Sequence, residues 1–223
     1  MCGRFTYRLT WKQIVELYKL TDKSEPLFEL KPRYNVAPSQ RVPVVRVREG
    51  RRRLCLLRWG LIPSWAKDAA IGYKTINARG ETVATAPSFR AAFKTRRCII
   101  PTTGFYEWQK TGTGKQPFLI CHKDDSPLSL AGLWERWDKG PEPVETFTII
   151  TTSPNELVAP IHNRMPVILA PEDFDAWLEP KESPIAHELV RPYPADKLQV
   201  VPISTRVNSP KNDDPAVIEP IGA

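Results

Sequence analysis

The chain has 223 residues, 41% hydrophobic and 26% charged, a balance that excludes intrinsic disorder and suits one sizeable core. Its formal net charge of +7 favours polyanionic partners, because Lys and Arg neutralise phosphates, yet charge alone does not separate a nucleic-acid surface from an inert basic one. No run approaches the roughly 18 apolar residues of a membrane span, and no apolar segment follows Met1, so neither a span nor a signal peptide is expected.

In chain order, residues 10–20 read as an amphipathic helix with Thr10 as N-cap and Trp11, Ile14, Val15 and Tyr18 on one face. Residues 42–48 and 53–59 flank Glu49-Gly50-Arg51 and read as a hairpin. Residues 97–101 form a short buried strand, and residues 104–110 and 117–122 make a second hairpin around Thr-Gly-Thr-Gly-Lys. Further strands are expected at 128–134, 145–151 and 165–169. Pro171-Glu172-Asp173 opens a short helix to Leu178, with Pro and acids in its first turn, and residues 184–190 suggest another. Strands outnumber helices without alternating with them, so the expected class is α+β, strand-dominated, in a single domain.

The chemistry-bearing residues are few. Four cysteines, at 2, 55, 98 and 121, contain no CxxC pair, and only His122, His162 and His187 join them. No zinc-ligand spacing results; no metal or cofactor is expected, and the thiols are read as free in a reducing compartment. Cys2 stands apart. Once Met1 is removed, the chain begins with an α-amine of pKa about 8 beside a thiol of about 8.5, both partly nucleophilic near neutrality. The amine condenses with an aldehyde to an imine, and the thiol closes a thiazolidine on the imine carbon. On position alone, an incidental second residue explains Cys2 as well.

Ile76-Asn77-Ala78-Arg79 places an amide and a cation on one face if extended. Gly104-Phe105-Tyr106-Glu107-Trp108 sets one carboxylate among aromatics, where desolvation raises its pKa unless it points to water from a strand edge. Ile161-His162-Asn163-Arg164 sets an imidazole beside a cation, with a structural histidine as the plain alternative. Arg58-Trp59-Gly60 and Pro63-Ser64-Trp65-Ala66-Lys67 interleave indoles with cations, as base stacking and phosphate contact require, although Trp59 reads as core. The cluster Arg46, Arg48, Arg51, Arg52 and Arg53 reads as a solvated hairpin rather than a DNA face.

Seven stretches in order resemble one family, the SRAP domain (SOS response-associated peptidase), which includes abasic-site shield proteins. They are Met1-Cys2-Gly3-Arg4-Phe5, Arg33-Tyr34-Asn35-Val36-Ala37-Pro38, Trp59-Gly60-Leu61-Ile62-Pro63, Ile76-Asn77-Ala78-Arg79-Gly80-Glu81-Thr82, Arg97-Cys98-Ile99-Ile100-Pro101, Gly104-Phe105-Tyr106-Glu107-Trp108 and His162-Asn163-Arg164-Met165-Pro166-Val167-Ile168-Leu169. The resemblance implies covalent capture of abasic sites in single-stranded DNA. Cys2 would be the nucleophile, Asn77 would hold its terminus, Glu107 would exchange protons, and His162 would assist opening of the abasic sugar. Arg4, Arg79 and Arg164 would hold phosphates, Pro38 and Trp65 would wedge or stack on bases, and Asn35 and Thr151 would line the site. At the position after Trp65, where some members carry a second Trp, this chain has Ala66.

The resulting expectation is one domain over residues 1–223 with a barrel-like β core, a few short helices and Met1 removed. It acts as a monomer on single-stranded DNA containing abasic sites, in the cytoplasm at the nucleoid, with no membrane partner. Two other readings stay open, a thiol autopeptidase that releases Met1 and a non-covalent single-stranded DNA-binding module.

Overall fold

A computed structural model describes residues 2–21, 26 and 28–222. The expected removal of Met1 therefore concerns a residue outside the described ones. Twelve strands are described: β1 Phe5–Tyr7, β2 Arg33–Val36, β3 Arg41–Arg48, β4 Arg51–Trp59, β5 Asn77–Arg79, β6 Arg97–Thr102, β7 Gly104–Thr111, β8 Gly114–His122, β9 Leu128–Trp137, β10 Val144–Thr152, β11 Met165–Pro166 and β12 Leu198–Pro202. The α-helices are short: α1 Trp11–Tyr18, α2 Arg90–Thr95, α3 Phe174–Leu178 and α4 Pro184–Glu188. Among the described residues no helix is long and apolar enough to cross a membrane.

Strands β4, β3, β6 and β9 pair in that order, and β10 pairs with both β9 and β4, which closes a five-stranded barrel. Closure leaves these strands no free edge. A second sheet, in the order β12-β8-β7-β1-β2, packs beside it. The hydrophobic core is shared. Phe5 of β1 lies 5.2 Å from Trp59 of β4, centroid to centroid, and Trp59 stacks on Phe147 of β10 at 6.2 Å. Trp59 is 1% exposed, the core residue its context implies.

Local signals explain several elements. Thr10 accepts from the Gln13 amide while the Gln13 side chain accepts from the Thr10 amide, the reciprocal capping box that starts α1. Glu49 (φ 53°) and Gly50 (φ 70°) form the tight turn between β3 and β4, whose two positive φ values match the strand twist. The hairpin's arginines are not uniformly solvated. Arg46 is 1% exposed, lies 4.1 Å over the Trp134 ring and pairs with Glu145 at 2.6 Å. Arg52 and Arg53 pair with Asp175 and Glu49. The strand expected at 165–169 is only Met165–Pro166, with an isolated bridge at Ile168.

Candidate active site

Cys2 lies just ahead of β1, whose ladder to β7 pairs Phe5 with Phe105 and continues through the Tyr106 N–H donating to the Arg4 carbonyl at 3.0 Å. This register lays the N-terminal residues along β7 and brings Cys2 near Glu107. The Cys2 thiol is fully buried; burial pushes its pKa well up, and the Glu107 charge adds to the rise. Glu107 is 1% exposed, and burial raises its pKa to about 7, partly offset by the positive chain terminus. The carboxylate among aromatics therefore points inward, not to water.

His162 faces the same carboxylate. Its Nε2 lies 3.9 Å from Glu107 Oε2. His162 Nδ1 lies 3.0 Å from the Arg164 backbone nitrogen and 3.2 Å from the Arg164 carbonyl oxygen, contacts that hold the ring with Nε2 toward Glu107. Burial lowers the His162 pKa, so the ring is neutral at pH 7. The turn that carries it is tied to β7, because the Gln109 amide donates to the Pro160 carbonyl at 3.1 Å.

A second group forms at the end of β10. Strand β5 runs parallel to β10 with Asn77 opposite Ile149 and Arg79 opposite Thr151, and β11 flanks Thr151 on the other side. Trp59 Nε1 donates to the Ile76 carbonyl at 2.9 Å, so the ring that packs on Phe5 also fixes the approach to Asn77. Asn77 Nδ2 donates to the Ile76 carbonyl, while its Oδ1 is buried without a hydrogen-bond partner among the described residues. Arg164 donates to the Thr151 carbonyl at 2.6 Å and grips both oxygens of Glu81. Arg79 is exposed beside them.

Other expected site residues are placed differently. Asn35 is fully buried and donates to the carbonyls of Val207, Ser209 and Asn212 at 3.1, 3.0 and 2.8 Å. Arg4 donates to Asn35 Oδ1 and the Val207 carbonyl, both at 2.7 Å, and to the Asn208 carbonyl at 3.1 Å. Both side chains thus tie the N-terminal strand to the C-terminal segment. Pro38 sits in a turn whose Ser39 N–H donates to the Trp59 carbonyl at 2.9 Å. Trp65 is 53% exposed, its indole N–H donating to the Pro87 carbonyl. The neighbouring Ala66 is buried, and its carbonyl accepts from Trp137 Nε1 at 2.7 Å. Glu81 is a participant that sequence reasoning does not single out, since its partner Arg164 lies 83 residues away. Among the described residues no cluster of three or more His, Cys, Asp or Glu is placed to hold a metal ion.

This arrangement sets a buried thiol, a carboxylate titrating near neutrality and a neutral imidazole beside a basic strand end. The family model described as SOS response associated peptidase (SRAP) matches residues 1–210. The chain belongs to the SRAP family. Among SRAP relatives, abasic site processing protein YoqW of Bacillus subtilis is 47% identical over 98% of this chain and 99% of its own length. Abasic site processing protein HMCES of Gallus gallus is 36% identical over 86% of this chain and 67% of its own length. A solved structure of a protein from Bacteroides thetaiotaomicron superposes with a TM-score of 0.86 at 30% identity, covering 98% of this chain and 99% of that one.

Proposed function

We propose that this chain processes abasic sites in single-stranded DNA by forming a covalent DNA–protein crosslink through Cys2, acting as a monomer after Met1 is lost. The relatives named above as abasic site processing proteins support the lesion class. The observation that carries the chemistry is the Cys2–Glu107–His162 grouping, because it supplies a nucleophile and two proton-transfer groups at one buried point.

The open form of an abasic sugar carries an aldehyde at C1′. The Cys2 amine adds to that carbon, and the carbinolamine loses water to leave an iminium. Cys2 Sγ then bonds to the same carbon, the thiol proton passes to a base, and the C=N electron pair returns to nitrogen. The product is a thiazolidine. Burial, reinforced by Glu107, keeps the thiol protonated, which suits amine attack first and thiol closure second. Glu107, with its pKa near 7, serves as the proton acceptor and donor, and His162 is the donor to the sugar ring oxygen as the ring opens. The unpartnered Asn77 Oδ1 is an acceptor for the Cys2 amine. Arg79 and Arg164 take flanking phosphates. Ring closure removes the iminium from which β-elimination would cut the strand, so the lesion is shielded. Any peptidase event is confined to release of Met1, and any lyase activity to iminium that escapes closure.

The test is a denaturing gel of purified protein with an abasic oligonucleotide. A shifted band that survives denaturation, with a protein mass lacking one Met, is expected. Binding without a surviving adduct would leave only a non-covalent DNA-binding module.

A further inference from the structure

Tyr73 is 66% exposed, yet it stands on a turn that is held rigidly. The Ala69–Tyr73 turn is pressed onto Gly60 so closely that a Cβ on Gly60 would meet the Gly72 oxygen at 2.5 Å, and one on Gly72 would meet the Gly60 oxygen at 2.9 Å. Thr75 Oγ1 closes the turn by donating to the carbonyls of Leu61 and Ile71 at 2.5 and 2.9 Å. The Arg58 guanidinium lies 5.8 Å from the Tyr73 ring centroid. Arg41 is the cross-strand partner of Arg58, and Lys74 follows Tyr73. Among the described residues none of Arg41, Arg58 and Lys74 forms an ion pair. The nearest acid in sequence, Asp68, uses its carboxylate to accept from the Ala70 amide at 2.9 Å.

We propose that Tyr73 and Arg58 form a stacking subsite for an unpaired nucleotide that flanks the lesion, with Arg41 and Lys74 on its phosphates. The inference rests on the single-stranded DNA reading above. A fixed aromatic backed by unpaired cations is what sequence-tolerant strand binding requires, since every base has a face to stack and every nucleotide a phosphate to neutralise. The position fits a flank rather than the reactive centre. Tyr73 precedes Asn77 by four residues, and Arg58 adjoins Trp59, to which the Pro38 turn is hydrogen-bonded through Ser39 and Gln40 at 2.9 Å each.

The experiment measures fluorescence anisotropy of undamaged oligothymidylates, one short enough to fill only the reactive centre and one extended on both sides, with wild type, Tyr73→Ala and Tyr73→Trp. Loss of one stacked base is expected to weaken binding of the extended strand by on the order of tenfold in Tyr73→Ala. Tyr73→Trp should retain affinity, the short strand should bind all three alike, and the melting temperature should not move. Wild-type affinity of Tyr73→Ala for the extended strand, or an equal loss on the short strand, would overturn the subsite. A parallel denaturing gel with an abasic strand reads the capture chemistry separately. If wild type forms no surviving adduct while extended-strand binding still depends on Tyr73, the crosslinking reading fails and the subsite stands.

Discussion

His162 presents its Nε2 to Glu107 Oε2 across 3.9 Å, and each group is shifted toward its neutral form by burial. Glu107 titrates near 7 and burial holds His162 toward its neutral form, so the two are not locked as a permanent ion pair, which is what reversible proton traffic at a reacting centre needs.

The first consequence is a pH profile. With Glu107 as the base, the single-turnover rate of adduct formation should rise with pH through about 7, the Glu107 pKa, and again through about 8 as the Cys2 amine loses its proton. Glu107→Gln should remove the inflection near 7, leave the rise that belongs to the amine, and slow the reaction by roughly 10²–10⁴-fold. The same substitution should raise stability. A carboxyl whose folded pKa lies above its ordinary 4.5 keeps its proton longer in the folded chain than in the unfolded one. Stability is therefore lost as pH rises from about 4.5 to 7 and stays lower above it, by on the order of 3 kcal/mol. At pH 8 the glutamine variant should melt higher than wild type, as calorimetry checks; a lower melting temperature would mark Glu107 as a structural residue.

Cys2→Ala and Cys2→Ser separate the two halves of the nucleophile. Both keep the α-amine and lose the thiol, so an imine forms that nothing traps. The adduct that survives denaturation should disappear, while a borohydride-trapped band and slow strand cleavage appear. DNA affinity should stay near wild type. Wild-type amounts of stable adduct from Cys2→Ala would show that another residue is the nucleophile.

Asn35→Ala should act on stability before activity. The side chain is fully buried and satisfies the carbonyls of Val207, Ser209 and Asn212 while accepting from Arg4. Removing it strands these groups and should cost on the order of 3 kcal/mol, read from denaturant unfolding. Normal stability with lost crosslinking would instead give Asn35 a direct part at the lesion.

Glu81→Gln tests the clamp on Arg164. Glu81 holds the guanidinium that is proposed to meet a phosphate, and the Arg164 bonds hold the Glu81 pKa below its usual value. Without that competing charge, DNA should bind more tightly, and the log–log salt slope should steepen by about one. Arg164→Ala should do the reverse. Weaker binding in both variants would show that Glu81 positions Arg164 for DNA.

Much of this protein is written in local sequence. The Thr10 capping box, the Glu49-Gly50 turn and the two hairpins β3–β4 and β7–β8 depend on neighbours a few residues apart, and the order of the family motifs carries from Cys2 to His162. The short strands β1, β2, β5 and β12 are not legible in that way, because three to five residues have no periodicity of their own and are extended only by the strands they pair with. The same limit applies to the site. Residue types alone name a carboxylate among aromatics and an imidazole beside a cation, but only the β1–β7 register and the turn before β11 bring Cys2, Glu107 and His162 together. Only the folded chain decides that Arg4 is spent on Asn35 and the C-terminal carbonyls while Arg79 stays exposed. Charge is a property of the residue; burial and partnership, which set what that charge does, belong to the packing.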